Sequence, residues 1–252
     1  MRSLWEKFFG SSLEKSKKPS QAELAHKMAR LRCSEVDRHE RSVSAHYFAN
    51  EPSDHAFLRE NIDAAFAELD ILCSAIVINE NSQETSYQFA LIASYLRTHC
   101  VISRQIERGN HIEAMILIRK QIELLARFRE LDSKKFYELE GKTPSISVLN
   151  IDQVGRVYGY LSEVAHFSKI YVAEHMGTSS ASGAASERSI HVFSTYQESS
   201  HRLFQDYCTV CIYFISATTC ALDKWDSSLN KNLFNALGTK ALLKAREMGV
   251  FT

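Results

Sequence analysis

NHIEAMILIRKQIELLARFREL, residues 110–131, is the stretch whose reading decides the fold. Its apolar residues recur every three or four positions, the spacing of one helix face. At about 100° per residue, Glu113, Lys120 and Arg127 gather on a narrow stripe that can face water. Arg119 and Glu123 do not join them. They fall between Met115, Ile122 and Ala126 on one side and Ile112 and Ile116 on the other. A charged pair set among apolar side chains costs several kcal/mol unless each partner satisfies the other. Arg119 and Glu123 are therefore expected to form either a structural clamp or the floor of a site.

The neighbouring segments repeat the pattern. Leu91, Ile92, Tyr95, Leu96, Ile102 and Ile106 form the seam of a helix from about Thr85 to Glu107. The short turn at Gly109-Asn110 makes it an antiparallel neighbour of the central helix. Leu58, Ile62, Ala65, Leu69, Leu72 and Ile76 define another helix after Pro52. Ser20-Gln21-Ala22-Glu23 reads as a capping box opening a polar helix towards Tyr47. Residues 132–150, with Gly141 and Pro144, read as a mixed loop. Helices follow from Asp152 to near His166, from about Glu198 to Leu222 and from about Leu229 to Met248. Ser189–Tyr196 reads as a short strand or extended segment, and Gly177–Ser186 is low in complexity. The sum is an all-α fold: a bundle of five to seven helices (51–252) with an N-terminal arm and polar helix (1–50).

Composition agrees. Three prolines and nine glycines in 252 residues favour long helices over a turn-rich β fold. Thirty basic residues balance thirty acidic ones, so no global charge draws the chain to polyanions. The distribution is uneven. Residues 51–84 carry eight acids and only Arg59, whereas the first forty-one residues carry ten bases and six acids. That suits one segment packing on another, or a homo-oligomer contact. Six cysteines without framework spacing imply a reducing cytoplasm. The longest uncharged run, Tyr207 to Leu222, is too short to span a bilayer and reads as a buried helix. Residues 1–18 place Leu4, Trp5, Phe8 and Phe9 at helical spacing among basic residues; docking on the protein suits them better than a membrane.

One helix face stands out. Gly155, Gly159, Ser162 and His166 line a single strip beside the apolar Val154, Tyr158, Leu161 and Ala165. Each glycine costs the helix roughly 1 kcal/mol. The return is close approach by another backbone or by a ligand. One reading is a tight helix crossing with a hydrogen-bonded histidine; the other is a polar pocket with His166 as proton carrier.

The pattern EAMILIRKQIEL, followed some forty residues later by YGYLSEVAHFS, resembles a group of uncharacterised bacterial all-helical proteins. These are similar in turn to the HEPN superfamily of helical bundles, many of which are ribonucleases of toxin–antitoxin and phage-defence systems. The resemblance spans about Tyr87 to His166. It implies a site of Arg119, Glu123, Ser162 and His166, with RNA or a cognate protein as partner and no cofactor. The chain departs from the HEPN nuclease motif of Arg, four to six residues, then His: the nearest arginine before His166 is Arg156. Arg32 with His39, Arg41 with His46 and Arg104 with His111 have the motif's spacing, against about two pairs expected by chance.

A di-iron bundle reading rests on Glu-x-x-His pairs, Glu163 with His166 and Glu198 with His201, completed by Glu68 and Glu123. Cys208-x-x-Cys211 lies inside an apolar run and reads as two core cysteines. There is no Walker loop, no dinucleotide-binding glycine motif and no nucleophile elbow. The resemblance implies RNA phosphodiester cleavage; the alternative is a non-catalytic interaction module in which Arg119, Glu123, Ser162 and His166 form an internal polar lock.

Overall fold

A reciprocal pair of hydrogen bonds starts the first helix: Ser20 N–H donates to Glu23 Oε2 at 2.6 Å and Glu23 N–H to Ser20 Oγ at 3.2 Å. This is the capping box read from the sequence, and it holds the Glu23 carboxyl below its ordinary range. The structure, a computed structural model, describes residues 20–76, 82–169, 172, 179–180, 188–189 and 194–250. Its helices are α1 (Gln21–Ala49), α2 (Ser53–Ala75), α3 (Gln83–Glu107), α4 (His111–Glu130), α5 (Phe136–Leu139), α6 (Asp152–Ala165), α7 (Ser199–Trp225) and α8 (Asn232–Glu247). The fold is all-α. Eight helices stand among the described residues because the expected loop 132–150 contains α5, followed by a 3-10 turn at Ile146–Leu149. Ser179–Ser180 pairs antiparallel with Arg188–Ser189. The basic arm 1–18, most of the 177–186 stretch and residues 190–193 lie outside the described residues.

The chain divides into two units, Met1–Arg38 and His39–Thr252. In the first, residues 21–38 of α1 leave almost every side chain open to solvent, Met28 among them. In the second, α4 is the central element. Ala114, Ile118, Ile122 and Ala126 are wholly enclosed, and α3, α6 and α7 pack around them. α2 packs against α7 and α8. Aromatic rings fill the middle: Tyr95 stacks on Phe214, while Phe66 meets both Tyr95 and Phe214 edge-on. Cys208 and Cys211 are buried here, and burial pushes both thiols up, as expected of core cysteines. No described helix is long and apolar enough to cross a membrane.

Three helix ends use one device. After α3, α6 and α8 the chain closes with a six-to-one bond (Asn110 N–H to Gln105 O, Ser168 N–H to Glu163 O, Val250 N–H to Ala245 O) and a shorter bond inside it. This is the Schellman motif, whose penultimate residue adopts a left-handed conformation. Gly109 and Gly249 hold that position at φ 72° and 69°; after α6 it is Phe167, at φ 49°. A side chain there costs roughly 1–2 kcal/mol.

Candidate functional site

The antiparallel course of α4 and α6 brings three of the four expected residues together. Arg119 Nη1 lies 3.4 Å from His166 Nε2, and Arg119 Nε lies 3.2 Å from Glu123 Oε1, an ionic contact one helical turn apart. Tyr158 completes the group. Its hydroxyl donates to Glu123 Oε1 at 2.9 Å and accepts from Arg119 Nη2 at 3.5 Å. Its ring lies 5.4 Å from the guanidinium carbon, a cation–π distance. Ser162 does not join them: its hydroxyl donates to the Tyr158 carbonyl of its own helix at 2.8 Å.

The setting is not the interior that an internal polar lock requires. Arg119 and Glu123 are half-buried, at 23% and 27% side-chain exposure, and His166 is exposed. His166 is the residue that follows the last of α6. The glycine strip is corrected too. Among the described residues a Cβ at Gly155 or Gly159 would meet nothing within 4 Å, so no described helix crosses there. An open groove of about 860 Å³, lined by Ile146, Asn150, Gly155, Arg156 and Tyr158 among others, runs along this side of α6. Arg156, Lys120 and Lys169 are exposed.

The dry ion pair of α4 is a different one. Arg127, expected on the water-facing stripe, is 5% exposed, and Glu130 is 3% exposed. They meet at 3.2 Å. Arg127 also donates to the Leu139 carbonyl at 3.2 Å and to the Lys142 carbonyl. Glu130 accepts from Lys134 and from the Ser145 N–H. The pair pins the 132–150 segment over the end of α4, and that segment covers Arg127, while Glu113 and Lys120 of the same stripe stay exposed.

Two more polar clusters lie in the core of the second unit. His99 is buried, with Nε2 2.8 Å from Asp63 Oδ1 and Nδ1 2.5 Å from the Tyr207 hydroxyl. Asp63 is half open to water, whereas Tyr207 is fully enclosed. His55 and His201 face each other 5.6 Å apart, with His201 stacked on Tyr47. Burial and His201 lower the His55 pKa; burial lowers that of His201. Beside them Arg59 grips Glu51 with two hydrogen bonds.

The remaining motif candidates separate. His111 is buried and bonded to Ser200 at 2.6 Å, a pin between α4 and α7. His46 bonds to the Ser42 carbonyl of its own helix. Among the described residues no three His, Cys, Asp or Glu side chains gather as a metal would require, and Glu123 is taken up by Arg119 and Tyr158. The di-iron ligand set is thus not assembled. Tyr158 is the residue that spacing alone missed: it was read as apolar, although its phenol lies two turns before His166 on the same helix. Comparison with protein-family models, with curated proteins and with solved structures finds no match.

Proposed function

We propose that this chain is a HEPN-like RNA-cleaving protein whose site is Arg119, Glu123, Tyr158 and His166. The observation that carries the reading is the contact between Arg119 Nη1 and an exposed His166 Nε2. An internal lock needs both partners shut away from water, and His166 is not. In this geometry Nε2 accepts, so the imidazole proton sits on Nδ1. The 3.4 Å contact is long, and a bound phosphate takes the guanidinium in its place. Nε2 is then free to remove the proton from a ribose 2′-hydroxyl. The 2′-oxygen attacks the adjacent phosphorus, the bond to the 5′-oxygen breaks, and the leaving oxygen takes a proton from water at this open site. Arg119 balances the charge that builds on the phosphoryl oxygens. Glu123 and Tyr158 aim the guanidinium. The resemblance supports placing the protein in a toxin or defence pair, with a cognate protein as its restraint.

The test compares wild type and His166→Ala on an end-labelled RNA and on DNA of the same sequence. Wild type is expected to cut the RNA, leaving 2′,3′-cyclic phosphate ends, and to spare the DNA, which has no 2′-hydroxyl. His166→Ala should fold normally and cut about 10²–10⁴-fold more slowly. Equal cutting by both proteins, or none by wild type, overturns the reading.

A further inference from the structure

Phe167 is placed against local preference. Its N–H bonds to Val164 O at 3.1 Å, and the next N–H, of Ser168, bonds to Glu163 O at 3.1 Å. These bonds fix it at the left-handed position of the α6 end, at φ 49°. A non-glycine residue there, above all a bulky one, is a conformational outlier. The same chain supplies its own comparison: the equivalent positions after α3 and α8 are Gly109 and Gly249. An apolar ring held this way would be repaid by burial in the core, but Phe167 is 58% exposed. Its strained backbone therefore holds an aromatic face out in water, one residue from His166. Strain of this kind persists where a function fixes it.

The surroundings suit a single-stranded polyanion with flat bases. Lys169 lies two residues on, and Lys120 and Arg156 are exposed on the two helices that carry the site. No described residue lies over Gly155 and Gly159, which leaves room for a backbone to come close to α6. Every nucleobase has a π face, so an exposed ring beside basic side chains captures unpaired bases with little regard to sequence. A duplex hides those faces.

We propose that Phe167 is a stacking platform for an unpaired base of single-stranded RNA, setting the substrate next to the Arg119–His166 pair. This rests on the RNA reading of that site and narrows its substrate to unpaired strands. The left-handed backbone already presents the ring to solvent, so the main chain needs no rearrangement when the strand arrives.

The experiment measures binding rather than cutting. The probes are a fluorescein-labelled 2′-O-methyl oligonucleotide, which lacks the attacking hydroxyl, and an abasic strand of equal length and charge. Wild type is expected to bind the base-bearing strand about tenfold more tightly than the abasic one. Phe167→Gly should lose that preference, keep its affinity for the abasic strand, and melt at the same temperature or higher. Phe167→Trp should retain the preference. Equal binding of both strands by wild type overturns the platform while leaving RNA cleavage standing. A lower melting temperature for Phe167→Gly with the base preference intact overturns it too, because the ring is then structural. Base preference in a wild type that cuts no RNA upholds the platform and removes only the cleavage. Absence of all binding and all cutting removes both.

Discussion

Arg127 and Arg119 stand two turns apart on α4 and live in different media. Arg127 is enclosed with Glu130; its Nη1 serves both Glu130 and the Leu139 carbonyl, and its Nη2 donates to the Lys142 carbonyl. Removing Arg127 leaves the buried Glu130 only the half-exposed Lys134 and the Ser145 N–H, and breaking a buried pair costs about 3–5 kcal/mol. Arg127→Ala is expected to lower unfolding free energy by that amount in urea titrations. The double change Arg127→Met with Glu130→Leu should lose less than Arg127→Ala, because no charge is stranded. The helical period placed Glu113 and Lys120 correctly in water but put Arg127 there with them. Periodicity shows which residues share a face; it does not show that a segment ten to fifteen residues on will fold back to cover that face. The same blindness hid Tyr158, whose hydroxyl matters only once α6 lies against Glu123. It also left His166 in an imagined interior, although the helix stops at Ala165.

The α3–α4 connection, residues 108–110, is a turn of three residues. Gly109 is needed there twice over: its φ is positive, and a Cβ would come within 2.6 Å of the Thr195 carbonyl oxygen and 3.1 Å of Val43. Gly249 shares the backbone conformation, but no described atom lies within 4 Å of where its Cβ would stand. Gly249→Ala should therefore cost about 1–2 kcal/mol, the backbone penalty alone. Gly109→Ala should cost at least about 1 kcal/mol more, since backbone must shift to admit the methyl group. Thermal unfolding of the two variants side by side separates conformation from crowding. The turn itself was legible, because Gly-Asn between two periodic runs has few other meanings. The crowding was not, since Thr195 lies more than eighty residues further along the chain.

In the second unit, buried titratable groups give stability a pH dependence of known sign. His55 and His201 are held below the ordinary value of 6.5 when folded. The unfolded chain thus binds more protons as pH drops through 6.5, so stability falls on acidification and levels off below the folded values. Glu107 and Asp206, raised by burial above 4.5 and 3.8, act in the opposite direction at lower pH. The melting temperature is expected to fall between pH 7.5 and 5.5, and His55→Gln with His201→Gln should flatten that slope. An unchanged slope in the double variant would assign it to other groups. None of this was visible in the sequence, where a lone histidine looks the same on any face. The chain from Asp63 through His99 to Tyr207 has a consequence of another kind. It begins in water and ends in a sealed hydroxyl. That one phenolic proton is sheltered from chemical exchange and should give its own downfield line in a proton NMR spectrum. Broadening of the line would report the parting of α2, α3 and α7 before any loss of helix is seen.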